Sequence, residues 1–225
     1  MKDAKSGSGP DFPVILAHGL WVPGVVMRPL AARLERAGFR CHIFSYMGAA
    51  RLLEAHAERL ARMARSIGPA HFVGHSLGGL LVMEALARHP EIAAGRVVLL
   101  GTPVRGCYAG RRIARFRVGR WFLGQSENLW CERHPESGRE GRTARWTRSE
   151  ALGVIAGSLP FGLGRMFGPL PGVNDGVVSL AETAVEGMAD RVVLPVGHSA
   201  MLVSARVAAQ VAVFLSNGKF TTNSN

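Results

Sequence analysis

The sequence predicts an α/β protein built on one mainly parallel sheet with helices on both faces. Short apolar runs rich in β-branched residues alternate with longer segments of helical periodicity. These runs are apolar at nearly every position, as strands buried on both faces by βαβ crossovers must be. Length agrees: 225 residues, 48% apolar and 19% charged, suit one domain with a substantial core and exclude a disordered, collagen-like or coiled-coil chain.

The first strand candidate, Phe12–Ala17, runs into His18-Gly19-Leu20. Val26–Ala37 then repeats apolar residues at helical spacing, and Cys41–Ser45 is the second strand candidate. Arg51–Ile67 is amphipathic, with Leu52, Leu53, Ala57, Leu60, Ala61 and Ala64 set against Arg51, Glu54, Glu58, Arg62 and Arg65. His71–Gly74, the third strand candidate, passes through a tight turn into the helix candidate Leu77–His89, and Arg96–Leu100 is the fourth strand. Residues 104–150 break the rhythm: they are Gly- and Arg-rich, with Phe116, Trp121, Phe122, Trp130 and Trp146 scattered through them. They are expected to form a cap or lid inserted over the sheet within a single domain spanning 1–225. Gly153–Ala156 and Arg191–Val196 complete six strands, and Ala200–Leu215, apolar nearly all round, is the last helix. Residues 217–225 are a polar tail expected to fray.

No apolar run approaches the roughly 18 residues of a membrane span, and the N-terminus is polar, so a soluble, cytoplasmic protein is expected. Cys41, Cys107 and Cys131 lack C-x-x-C spacing and read as reduced structural thiols, with no disulfide framework and no metal site. Formal net charge is +11, 24 of the 27 basic residues are Arg, and +6 of the excess falls within 104–150. That segment suits either a solvated loop or a face that touches an anionic membrane surface; no nucleic-acid-binding motif accompanies it, so nucleic acid is not the expected partner.

Chemistry enters at Gly74-His75-Ser76-Leu77-Gly78, a G-x-S-x-G sequence where a strand gives way to a helix. A tight turn there holds a serine hydroxyl clear of the sheet with a helix N-terminus behind it, and small residues two before and two after relieve crowding. A capping serine in a Gly-rich turn is the plainer account. Of eight histidines, His198 follows the sixth strand at its C-terminal end, where open α/β sheets place their sites, and so is the candidate base. His56 and His89 lie on helices, His134 lies in the insertion, and the side chain of His75 is expected to point away from its neighbour Ser76. Ser199, in a second Gly-His-Ser triplet, is read as a helix cap. Of four aspartates, Asp3 and Asp11 precede the first strand and Asp190 stands at the N-terminal end of the sixth. Asp175, in Asn174-Asp175-Gly176, is therefore the candidate acid, with an Asx turn as its plainer role.

These residues resemble the α/β-hydrolase family, in particular its small bacterial lipases and the lipase-like relatives of the GPI inositol-deacylases. The order Ser76, Asp175, His198 is the family's, and the likeness runs from about Phe12 to Leu215, with the family's two leading antiparallel strands expected to be missing. By that resemblance His18-Gly19-Leu20 supplies one oxyanion donor, the backbone N–H of Leu20, and the N–H of Leu77 supplies the other. The implied protein is a serine hydrolase cleaving carboxylic esters, a lipase or esterase acting on a small-molecule ester or lipid through an acyl-enzyme, with no cofactor. Thioesterase, amidase and acyltransferase share the same motifs, and a non-catalytic lipid- or nucleic-acid-binding protein on a hydrolase scaffold is the reading from another class. Trp21 and Met201 flank site residues and are candidates for an apolar acyl pocket or for ordinary core packing.

Overall fold

Six strands form where the apolar runs predict them: β1 (Val14–Ala17), β2 (Cys41–Phe44), β3 (Ala70–His75), β4 (Ala94–Leu100), β5 (Leu152–Gly157) and β6 (Asp190–Leu194). The computed structural model describes residues 12–20, 22–47, 53–110, 145–161, 170 and 172–221. All five strand pairings are parallel, in the order β2-β1-β3-β4-β5-β6. From β1 the chain crosses to β2 at one edge, returns over β1 to β3, and then steps outward to β6. Where that direction reverses, the loops after β1 and β3 diverge to opposite faces and leave a crevice at the C-terminal ends of the strands.

Successive residues of β1 face opposite layers. Ile15 and Ala17 pack with Leu60 of α2 (Leu53–Ile67) and Leu80 of α3 (Leu77–Arg88). Val14 and Leu16 pack with Leu30 and Leu34 of α1 (Arg28–Arg36) and Phe214 of α4 (Ala205–Asn217). Both sets are buried, which explains strands with no polar alternation; each fully buried Leu contributes about 2 kcal/mol.

Four expectations are corrected. The helix foreseen over Val26–Ala37 opens as a 3-10 turn, Gly24–Met27, and becomes α-helical only at Arg28, with Pro29 in its first turn where a missing N–H costs nothing. The one foreseen over Ala200–Leu215 is two pieces: a 3-10 turn, Ser199–Leu202, and then α4, whose start is set by Ser204 Oγ accepting from the N–H of Val207 at 3.2 Å. Ser199 is thus no cap, for it lies inside the turn and its side chain makes no capping bond. The tail is held as far as Thr221: Gln210 bonds Thr221 through both its amide atoms, at 2.9 and 3.0 Å, and Phe220 packs on Phe214.

Most of 104–150, including Phe116, Trp121, Phe122 and Trp130, lies outside the described residues. Two of its members that are described serve the fold. Trp146 is buried in the core layer of α2 and α3, its Nε1–H donating to the carbonyl of Glu150 at 2.6 Å. Arg148 pairs with Glu150 and donates to the carbonyls of Leu86 and Ile92, satisfying acceptors at and beyond the end of α3. No helix among the described residues is long and apolar enough to cross a membrane.

Candidate active site

Ser76 stands between β3 and α3 with φ 54° and ψ −122°, and among the described residues it alone, apart from glycines, has positive φ. Such a conformation costs about 1–3 kcal/mol and must be imposed by its surroundings. They impose it through contact: a Cβ on Gly74 would overlap the backbone of Gly78 and Gly79, and one on Gly78 would overlap the carbonyls of Ala17 and His18. The missing side chains let the first turn of α3 press against the end of β1. That contact brings the His18-Gly19-Leu20 loop beside Ser76, where a Cβ on Gly19 would stand 3.2 Å from Ser76 Cβ; at the first helical position the N–H of Leu77 has no intrahelical acceptor. The loop is itself fixed, because His18 Nδ1–H donates to the carbonyl of Gly19 at 2.8 Å, His18 Nε2 accepts from the N–H of Tyr46 at 3.1 Å, and the Tyr46 hydroxyl donates to the carbonyl of His18 at 2.7 Å.

His198 and Asp175, 23 positions apart, are joined twice. His198 Nδ1–H donates to Asp175 Oδ2 at 2.8 Å, and the His198 backbone N–H donates to the Asp175 carbonyl at 2.9 Å. The other carboxylate oxygen accepts from the N–H groups of Val177 and Val178 at 2.9 and 2.7 Å. Burial alone would push this carboxyl upward, but the neighbouring His198 and these hydrogen bonds outweigh it and hold Asp175 below its usual range, ionised at neutral pH. One carboxylate oxygen thus closes the Asx turn while the other meets His198. Ser76 reaches this pair through the backbone: its N–H donates to the carbonyl of Leu100 at 2.9 Å, and the next residue, Gly101, lies against both partners. Among the described residues no hydrogen bond joins Ser76 Oγ to His198.

The alpha/beta hydrolase fold family matches residues 13–129, more than half of the chain. The chain belongs to the alpha/beta hydrolase family. This hydrolase-fold chain is similar to the lipase BlEst2 of Bacillus licheniformis in its propeptide form, with TM-score 0.73 and 18% identity over 96% of this chain and 52% of that one. It thus spans about half the length of that protein. The mature form of the same lipase gives TM-score 0.63 and 19% identity, covering 93% and 91% of the two chains. An esterase from Exiguobacterium antarcticum, EaEST, gives 0.65 and 14%, covering 93% of each. At these identities the likeness is one of fold. No curated protein matches the chain.

The structure places the other residues singled out from the sequence as follows. Trp21 lies outside the described residues. Met201 is fully buried in the core layer of α1 and α4, and its methyl and the Cβ of Asp175 both flank Gly157. The ring of His75 reaches across to the His198 loop, where Nε2–H donates to the carbonyl of His198 at 3.0 Å, a partner the sequence does not indicate. A glycine was also missed. Gly101 has φ 51°, and a Cβ there would stand 2.9 Å from Asp175 Oδ2 and 3.1 Å from His198 Nδ1. Its one sequence signal is a glycine directly after a strand, in Leu100-Gly101-Thr102-Pro103. Gly101→Ala is expected to push the acid and base apart and lower turnover by about 10- to 100-fold while the chain still folds, as steady-state kinetics with thermal unfolding would show. Wild-type turnover in that variant would refute the contact.

The buried histidines make stability depend on pH. Desolvation, helped by His198, pulls His75 from its ordinary 6.5 down to about 3, and burial also lowers His18. The unfolded chain therefore takes up protons from about pH 6.5 downward that the native state refuses, so stability is lost as pH falls through that window. Depressed Asp175 acts in the same direction below about pH 4. Urea unfolding is expected to show roughly 3 kcal/mol less stability at pH 4 than at pH 7 from His75 alone. Equal stability at the two would show that these rings titrate freely in the native state.

Proposed function

We propose that this chain is a serine hydrolase of carboxylic esters. Ser76 Oγ attacks the acyl carbonyl as His198 Nε2 takes its proton; the negative oxygen is held by the N–H groups of Leu20 and Leu77; His198 returns the proton to the leaving alkoxide. Water then attacks the acyl-enzyme with the same base, releasing the carboxylic acid and restoring Ser76. Asp175 fixes the tautomer of His198 and stabilises the imidazolium that forms in both steps. Each oxyanion donor is worth about 10² to 10³ in turnover.

The observation that carries the reading is the strained backbone of Ser76 on the alpha/beta hydrolase fold, because a capping serine needs no positive φ and Ser76 makes no capping bond. The ester class draws support from the exposed apolar residues of loops at the C-terminal edge of the sheet: Val25 after β1, Met47 after β2, Leu159 and Phe161 after β5, and Val173 near Asp175. Such a rim suits the acyl part of an ester better than a charged substrate.

A fluorophosphonate probe tests the reading. Its adduct is expected on Ser76 by mass spectrometry, and graded acyl esters compared with matched thioesters and amides would fix the leaving group. An unlabelled protein, or an adduct on Ser199, would overturn the proposal.

A further inference from the structure

His75 has no step in the mechanism above, yet its ring lies between the His198 loop and the Gly19 loop, both of which the mechanism uses. It ends β3 beside Ser76 and is buried; its Nε2–H donates to the His198 carbonyl, and the two imidazole rings lie 4.7 Å apart. On its other side Nδ1 is buried without a partner among the described residues, next to Gly19: a Cβ added there would stand 3.2 Å from this nitrogen and 3.2 Å from Ser76 Cβ.

The backbone of His198 has two polar groups and both are held, the N–H by the carbonyl of Asp175 at 2.9 Å and the carbonyl by His75 at 3.0 Å. With the bond from His198 Nδ1 to Asp175, the base is fixed at three points, two on Asp175 and one on His75. We propose that His75 is a positioning residue for the base, holding the His198 carbonyl through Nε2–H so that the catalytic ring keeps its aim at Ser76. The role rests on the serine-hydrolase reading. Packing alone does not account for a histidine here, since an apolar ring of the same size would fill the space without a bare, buried nitrogen. Nor would a charged ring serve: attack by Ser76 makes His198 a cation, and a second cation 4.7 Å away would oppose it. Desolvation keeps His75 neutral; the charges that His198 and His18 can carry act in the same direction, while the Asp175 carboxylate and the hydrogen bond to the His198 carbonyl oppose it. The unpartnered Nδ1 belongs to the same arrangement, because a carboxylate there would favour the charged form.

Three variants separate the donor from the bulk. A glutamine places its amide nitrogen near the position of Nε2, an asparagine places its own near Nδ1, and a phenylalanine keeps the ring without a donor. His75→Gln is expected to keep kcat within about threefold. His75→Asn and His75→Phe are expected to lose about 10- to 100-fold in kcat with KM changed less than about twofold, and to be labelled by fluorophosphonate correspondingly more slowly. Equal losses for Gln and Asn, or wild-type kcat in all that fold, would overturn the role; should Phe fail to fold, the Gln and Asn pair decides. In the wild type, nitrogen-resolved imidazole spectra should show His75 as a neutral ring protonated at Nε2 from pH 8 down to about pH 4. A His75 ring titrating near 6.5 would overturn it independently of turnover. A wild type that no probe labels would sink the hydrolase reading itself, and the assigned role with it, even if the ring were neutral.

Discussion

Replacing Ser76 by alanine is expected to lower ester turnover by at least about 10⁴-fold and to abolish fluorophosphonate labelling, because nucleophile and base act as a unit and neither has a substitute nearby. The fold should survive. The turn is imposed by Gly74, Gly78 and the end of β1, not by the hydroxyl, which makes no capping bond. Alanine meets the same φ of 54° as serine, so the melting temperature should hardly move. A variant that folds and retains more than about a hundredth of the wild-type rate would mean another nucleophile, with Ser199 the first to test.

Asp175→Asn is expected to cost about 10⁴-fold in turnover. The amide could still accept from Val177 and Val178, but where Oδ2 now meets His198 Nδ1–H it would present N–H against N–H, or force the other tautomer and leave Nε2 unable to take the serine proton. Asp190→Asn is the control. Asp190 begins β6 at the opposite end of the sheet, a strand's length from the site, on the order of 15 Å. Its carboxylate accepts from the N–H groups of Arg191 and Phe220, both at 2.8 Å, so its loss should lower stability by about 1–3 kcal/mol and leave kcat alone. Kinetics on both variants at matched folded fraction make the comparison; equal effects would contradict the strand directions on which the site depends.

All six strands were legible because a parallel sheet covered on both faces writes itself as apolar runs, as in Val14–Ala17, where neighbouring residues serve different layers. Position along those strands then brought out Asp175 and His198, since only loops at one edge of the sheet can meet. What escaped is what depends on how loops lie against one another. Apolar periodicity passes straight through Ser204, and nothing in it marks where a 3-10 turn gives way to a helix. Local geometry beside Ser76 says that the His75 side chain points away from it but not where the ring goes, because its partner is a carbonyl 123 positions later in the chain. Trp146 sits in an irregular Arg-rich stretch, where no period tells a buried ring from a surface one. The importance of Gly101 lies wholly in what a methyl group would strike.

The strained turn also bears on how this sequence can change. Since Ser76 holds a conformation that glycine adopts freely, a glycine there would relieve about 1–3 kcal/mol of strain while removing the hydroxyl. A lineage or a laboratory library selected for thermal endurance alone should therefore drift away from serine at this position, and one selected for turnover should hold it and gather its stabilising changes elsewhere. The amino acid that accumulates at position 76 would then reveal which of the two pressures the population has experienced.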